Sequence, residues 1–291
     1  MAIKDTTVIM TNCTIENNKI DVASGGSGGY GSGGGVRVSG GSFKMTGGTI
    51  KGNEAYNGSG VYLTGGSFEM SGVNIENNTT VPDDMRGSGG GVYLTGGSFT
   101  MSSGKIKGNK AQNNTGGGVC VTGGSFEMNG GEINGNTAKE GGGVYVNENA
   151  TSTMYGGTIT GNTGDRGKGV YVASSAYDSN NPDGEFIMGD EACVGKWKSN
   201  GTLQDGNDVY LGKNLNGNYL VKIKIDKDRP ITKLKVAHIW PQEYGVGRLV
   251  LVMTQGTTGT TTVAEHHNKF TVQPTAVSNW EVDSDGKLNV K

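Results

Sequence analysis

The sequence predicts an all-β chain wound as a right-handed parallel β-helix. It has three short strands per coil and an irregular β cap at the C-terminal end. Three observations predict this. One sentence recurs five times between Gly35 and Asn162. Apolar residues inside it alternate with a period of two. Glycine, 55 of 291 residues, sits at fixed places between the apolar runs, far above the usual ~7%. A fixed period of this length marks stacked coils that bury a core jointly.

The copies read GVRVSGGSFKMTGGTIKGN from Gly35, GVYLTGGSFEMSGVNIENN from Gly60 and GVYLTGGSFTMSSGKIKGN from Gly91. GVCVTGGSFEMNGGEINGN follows from Gly118, and a worn copy, GVYVNENATSTMYGGTITGN, from Gly143. The valines Val36, Val61, Val92, Val119, Val144 and Val170 are 25, 31, 27, 25 and 26 residues apart. In Gly60 to Leu63, Val61 and Leu63 face one way and Tyr62 the other, because strand side chains alternate. Ser67 to Met70 puts Phe68 and Met70 inward and Glu69 outward, and the third run puts Ile75 inward. Thr64-Gly65-Gly66 and its copies supply the first turn, where glycine tolerates positive φ. Handedness follows from the crossover preference between parallel strands.

Two columns on the coils invite a role. Asn53, Asn78, Asn109, Asn136 and Asn162, with Asn18 before them, follow the Ile strand. Amides stacked one coil apart form a structural ladder. Tyr62, Tyr93, Tyr145 and Tyr171 share an outward column with Arg37, Cys120 and Tyr210. Rings ~4.8 Å apart can stack to stiffen the sheet, or offer a flat aromatic strip to a sugar ring or partner surface. The loops between each Asn and the next GGGV vary in length and flank that strip.

Past Ala173 the repeat degrades, and the expected division is 1–205 for the coils and 206–291 for the irregular β continuation and cap. Alternating runs predict strands at Tyr219 to Ile225, Ile231 to Val236, Arg248 to Met253, Lys269 to Val272 and Trp280 to Val282. Asp285-Gly286 predicts a hairpin turn before Leu288 and Val290. At the other end, Thr7 to Asn18 reads as half a coil with Val8, Met10 and Ile15 in core positions. No N-terminal cap is visible, so self-association through the N-terminal coil is expected, by strand addition.

Composition excludes several classes. The net charge is −2 without a basic block, which argues against nucleic acid as a partner. No apolar run reaches the ~18 residues of a membrane span, so no membrane insertion is expected. The opening MAIKDTT has no basic n-region or apolar h-region, so no signal peptide is present in this chain. Cys13, Cys120 and Cys193 are too few and scattered for a disulfide framework or a zinc site and read as free thiols.

Catalytic and metal signals are weak. Glycoside cleavage needs two carboxylates ~5–9.5 Å apart. Glu69 and Glu127 stand two coils apart with Thr100 between, on what reads as a solvated face. Asp83-Asp84 with Arg86 is an acidic loop. Asp178 to Asp183 has some calcium-loop residues, but at the wrong spacing and without the distal Glu. Glu265-His266-His267, read as strand, sends its two His to opposite faces. The reading is therefore no enzyme, no metal and no cofactor, with calcium near Asp178 and Asp183 the weak alternative.

GGGVYLTGGSFTMSSGKIKGN from Gly89 and its copies resemble repeats of bacterial surface proteins with right-handed β-helix passengers, of the polymorphic-outer-membrane-protein and spirochaete or clostridial adhesin kinds. Residues 33–172 carry the resemblance, and NDVYL, NKFTV and NWEVDSDGKL extend it loosely. It implies an extracellular or cell-surface adhesin, spacer or assembly unit without catalysis, with a glycan or a host or neighbour-cell surface protein as partner. The alternatives are a carbohydrate-binding module on the Tyr strip, then a polysaccharide lyase or hydrolase. The chain lacks the outer-membrane barrel and the sorting motif of full-length members, which leaves its attachment open.

Overall fold

The computed structural model describes residues 1–20, 31–81, 87–174, 183–200, 202–212, 222–233, 235–242, 248–254, 262–276 and 278–291. Its core is three sheets wound together, each built from one strand per coil. The first sheet has ten strands, from Ala2–Ile3 and Val36–Val38 through Val92–Leu94 and Val209–Leu211 to Phe270–Val272. The second has nine, from Thr7–Thr11 through Ser98–Met101 to Leu251–Met253. The third has seven, from Thr14–Glu16 through Gly104–Lys107 to Cys193–Val194. Neighbouring strands in all three sheets pair in parallel with their copies one coil away. This is a parallel β-helix.

Like residues stack on like inside it. Phe43, Phe68, Phe99 and Phe126 are buried, with ring centroids 5.0, 4.9 and 4.9 Å apart and near-parallel planes. Ser152 interrupts this column and Phe186 resumes it. Met45, Met70, Met101, Met128, Met154 and Met188 form the adjacent buried column, and Ile50 to Ile159 the one on the third sheet.

The GGG before Val36, Val92, Val119 and Val144 is required by backbone approach. A Cβ on Gly116 (φ +66°) would lie 2.5 Å from Cys120 Cβ. On Gly117 it would lie 2.5 Å from Gly142 O, and on Gly118 2.9 Å from Ile133 Cγ2. The triplet thus pulls the loop onto the first sheet's outer face and closes the turn over the core. The loops begin with a fourth short ladder that the sequence reading missed. Glu54–Ala55 pairs with Thr79–Thr80, and bridges run on through Lys110, Thr137 and Thr163.

The first two sheets run past position 206 without a break, since Val170–Val172 pairs in register with Val209–Leu211. Only the third sheet stops, at Cys193–Val194. The strands expected beyond it are shorter or shifted. Ile223–Ile225 and Leu251–Met253 are strands, while 213–221 and 243–247 lie outside the described residues. Of Ile231 to Val236, the described residues (Leu234 lies outside them) are not in a strand: Val236 accepts from Val194 N–H and donates to Lys269 O, and the strand begins at Ala237. Glu265-His266-His267 is not a strand either. Local bonds, His266 N–H to Val263 O and Lys269 N–H to His266 O, both 2.9 Å, wind Val263–Glu265 and His267–Lys269 into single 3-10 turns.

The two ends differ. At the C-terminal end Trp280–Val282 and Leu288–Val290 form an antiparallel hairpin, with Gly286 at φ +81° in its turn. Gly286 O accepts from Val250 and Leu251 N–H, and Leu288 N–H donates to Arg248 O at 2.7 Å. The hairpin thereby covers the last strand of the second sheet. At the N-terminal end Ala2–Ile3, Thr7–Thr11 and Thr14–Glu16 are each outermost in their sheets among the described residues. Val8, Met10 and Ile15 occupy core columns but are half-buried, because no described coil lies over them.

Candidate functional site

The outward column of the first sheet runs Arg37, Tyr62, Tyr93, Cys120, Tyr145, Tyr171, Tyr210, Trp240, each in register with the next. Tyr62 and Tyr93 stack at 5.5 Å, Tyr145 and Tyr171 at 5.2 Å, and Tyr171 and Tyr210 at 5.0 Å. Trp240 closes the column edge-on to Tyr210. Arg37 lies 5.4 Å over Tyr62, and Arg166, ion-paired with Glu140, lies over Tyr171 and Tyr210.

The column is not the open strip that the sequence suggested. Tyr171 is 8% exposed, Tyr210 5% and Cys120 0%, while Tyr62, Tyr93 and Tyr145 are half-buried. Ring packing is the reason at Tyr171, which lies between Tyr145 and Tyr210 with Arg166 over both Tyr171 and Tyr210, while Cys120 sits against Thr115 Oγ1 at 3.4 Å. Burial pushes the phenols of Tyr93 and Tyr171 up to about 12 and the Cys120 thiol up to about 12. These two phenols and the thiol are therefore protonated at neutral pH.

The asparagines form one continuous ladder. Asn18, Asn53, Asn78, Asn109, Asn136 and Asn162 each donate a side-chain N–H to the next residue's Oδ1, at 2.8 to 3.2 Å, ending on Asn207. Each also takes the next Oδ1 on its own backbone N–H, and from Asn53 to Asn162 gives a second amide proton to an Ile carbonyl of the preceding coil. Asn53 to Asn207 are fully buried.

The acids weighed for catalysis do not form an isolated pair. Glu69 pairs with Lys44 at 3.3 Å, and Glu127 accepts from Asn129 Nδ2 at 2.6 Å. Asp83, Asp84, Arg86 and Asp178 lie outside the described residues. Asp183 accepts from Ser174 Oγ at 2.9 Å. His267 Nδ1 lies 2.9 Å from Ala264 O. Among the described residues no group of three His, Cys, Asp or Glu is placed to hold a metal.

A different feature appears where the third sheet stops. A cleft of about 670 Å³ lies over the sheet's outer face, lined by Trp197, Lys196, Lys198, Lys233 and Lys235, with Thr158, Thr160 and Ser199. Trp197 sits on a small hairpin, with Lys198 N–H donating to Thr202 O and Gln204 N–H to Lys196 O. Its indole N–H donates to Val194 O at 3.3 Å. Cys193, outward on the last strand, is buried there, and burial raises its thiol pKa. A second trough of about 610 Å³ shares Thr160 and Lys196 and runs back over Gly161, Gly135 and Gly108, between Asn134 and Asn77.

Residues 59–184 match the family model of a right handed beta helix region. That match and the sheet order agree on the fold, a right-handed parallel β-helix. No curated protein and no solved structure matches it.

On this β-helix the residues that sequence reading missed are the four lysines and Trp197. Lys196-Trp197-Lys198 is visible in the sequence, but its partners Lys233 and Lys235 lie some 35 residues on. Only the end of the third sheet brings them to one place.

Proposed function

We propose that this β-helix is a non-catalytic, extracellular or cell-surface rod that serves as adhesin, spacer or assembly unit. The observation that carries the reading is the commitment of the outward carboxylates on the coils. Glu16, Glu69, Glu76 and Glu132 pair with Lys51, Lys44, Lys107 and Lys105 of adjacent coils, and Glu127 with Asn129. A general acid and a base or nucleophile need an uncommitted pair across a cleft. The tyrosine column is the weaker candidate for a glycan or surface-protein partner, since Tyr171 and Tyr210 are covered.

The test is turnover. Incubation with a panel of neutral and acidic polysaccharides should release neither reducing ends nor unsaturated uronate products. Release that disappears in a Glu69→Gln/Glu127→Gln variant would overturn the reading.

The assembly role rests on the N-terminal edge. Thr6 O and Asn12 N–H bond to the second coil, so by alternation Ile9 N–H faces the open side. A strand of a second copy, or of a preceding coil, fits there. Ile9→Pro should lower the oligomer mass in light scattering at high concentration, and Tyr62→Ser/Tyr93→Ser should leave it unchanged. The opposite result would place assembly on the tyrosines.

A further inference from the structure

We infer that the lysine–tryptophan cleft at the end of the third sheet binds an acidic polysaccharide. Three independent features of the molecule lead there.

The first is charge. Along the coils, lysines on the third sheet's outer face are matched across the rungs: Lys51 with Glu16, Lys105 with Glu132, Lys107 with Glu76. That pattern ends at the cleft. Lys196 and Lys198 have no carboxylate within ion-pair distance among the described residues, and both are exposed. Lys233 meets Glu191 only at 4.0 Å, and Lys235 binds the carbonyl of Asn268. The two acids beside them are already engaged. Glu132 holds Lys105 and Asn134, and Asp205 caps the N–H groups of Lys196, Gly161 and Asn207. Four lysines thus line one cleft, two of them without a carboxylate partner among the described residues, and leave it an excess of positive charge in a chain whose net charge is −2. Such a local field draws an anion.

The second is the tryptophan. Its N–H is taken by Val194 O, so what it offers the cleft is its ring. A ring face beside ammonium groups and the hydroxyls of Thr158, Thr160 and Ser199 suits a flat, hydroxyl-bearing ring with an acidic substituent. Lysine supplies point charges and no planar fork, so it suits separate carboxylates or sulfates along a chain.

The third is the trough. It continues the cleft along the rod with a floor of Gly161, Gly135 and Gly108. A Cβ on Gly135 or Gly161 would come no nearer than 3.9 Å to its neighbours, so the floor is open there, while at Gly108 a Cβ would lie 2.5 Å from Asn77 Oδ1, which ends the open stretch. Asn77 and Asn134 line the trough together with Lys107, which is paired with Glu76, and Asp205, whose carboxylate is engaged by Gly161 N–H at 2.8 Å. Neutral amides suit sugar hydroxyls. A single-stranded nucleic acid wants instead a basic groove with successive aromatic rings. The cleft supplies the anchor and the trough the path for an extended glycan.

The experiment uses the 291-residue chain, with hyaluronate and heparin as acidic probes, dextran as the neutral one and an oligothymidylate. Titration calorimetry at low salt should show binding of at least one acidic glycan, weakened tenfold or more at 0.5 M NaCl. Dextran should bind at least tenfold more weakly. Lys196→Gln/Lys198→Gln should cost tenfold or more without changing the thermal melt, because both side chains are exposed. Trp197→Ala should cost as much, and Lys44→Gln, on a paired lysine of the second sheet, should cost nothing. Equal affinity for dextran, tighter binding of the oligothymidylate, unchanged affinity in the double-lysine variant, or no binding of either acidic glycan would each overturn the inference. None of these outcomes bears on turnover, so this test and that of the non-catalytic reading fail separately.

Discussion

The repeated coils and the C-terminal third are built on the same sheets but stabilised differently. In the coils each residue meets its own kind one rung away: Phe on Phe, Asn on Asn, Lys against Glu. In the last third the first two sheets continue, but the columns become mixed. Ile223 stands on Phe186, Trp240 beside Tyr210, and Asn207 ends the amide ladder. Repetition satisfies every group from the neighbouring coil. Where it stops, special residues must satisfy what the missing coil would have satisfied, and some groups are left with charge or polarity to spare. The cleft and Asp208 are the two clearest cases.

Breaking a repeated column should have the largest effect. Phe99 is fully buried and stacked on both faces, so Phe99→Ala should cost ~3–5 kcal/mol through lost burial and the cavity left behind. Thr100→Ala, on the outward side of the same strand, should stay within ~0.5 kcal/mol. Urea midpoints check both, and equal midpoints would refute the inward and outward assignment.

The amide ladder comes next. Asn109→Ala removes the acceptor of two Asn78 N–H groups and leaves Ile75 O and Asn136 Oδ1 without that donor. Each buried group so orphaned costs ~1–3 kcal/mol, partly recovered by relaxation, so a net loss of about 2–4 kcal/mol is expected. Asn207→Ala should cost less, because its own amide protons reach Asn162 O and Asp205 O only at 3.3 Å, against 2.9 and 3.0 Å for those of Asn109. A larger loss at Asn207 than at Asn109 would reverse the comparison between repeat and end.

Much of this was legible in the sequence, and for a physical reason. A solenoid writes its contacts as a period, so Val61, Met70, Ile75 and Asn78 can be placed from one copy and checked on four others, and Phe68 on three. The burial of Tyr171 is not legible because outward in a strand means exposed only when nothing covers it, and here Tyr145, Tyr210 and the loop residue Arg166 do. Ile231 to Val236 was misjudged because alternation alone does not supply a partner of the right length. Lys196, Trp197, Lys233 and Lys235 were missed because their proximity depends on where one sheet ends, and no local pattern encodes that.

Asp208 tests the junction by pH. It occupies the rung after Gly169, is 2% exposed, and gives Oδ1 to Lys168 N–H at 2.7 Å. Its Oδ2 has no hydrogen-bond partner among the described residues. Burial raises its carboxyl to about 6, against the opposing pull of backbone N–H groups and Lys168. A carboxyl whose folded pKa lies above its unfolded value binds its proton more tightly when folded. Its contribution to stability is therefore greatest below pH ~4 and is lost as pH rises to about 6. Asp208→Asn keeps the Lys168 contact and should remove that slope, gaining on the order of 2 kcal/mol at pH 7 and nothing at pH 3.5. Denaturant melts at the two pH values check it, and an unchanged slope would refute the role given to Asp208.

The smallest effect is expected at a paired charge on the coils, and it sharpens the contrast with the cleft. Lys44 and Glu69 are each about half exposed and meet at 3.3 Å. Water screens such a pair, and holding two long side chains in one geometry costs entropy, so exposed pairs contribute ~0.2–1 kcal/mol. Lys44→Met/Glu69→Gln should therefore move the urea midpoint by less than the equivalent of about 0.5 kcal/mol. Adding 0.5 M NaCl should change that difference little. Lys196 and Lys198, which lack a carboxylate partner among the described residues, should be equally silent in stability, because both side chains are exposed. Their removal should instead show in anion affinity. If Lys44→Met/Glu69→Gln destabilised the rod by several kcal/mol, the outer ladders would be structural and the difference between matched and unmatched lysines would lose its meaning.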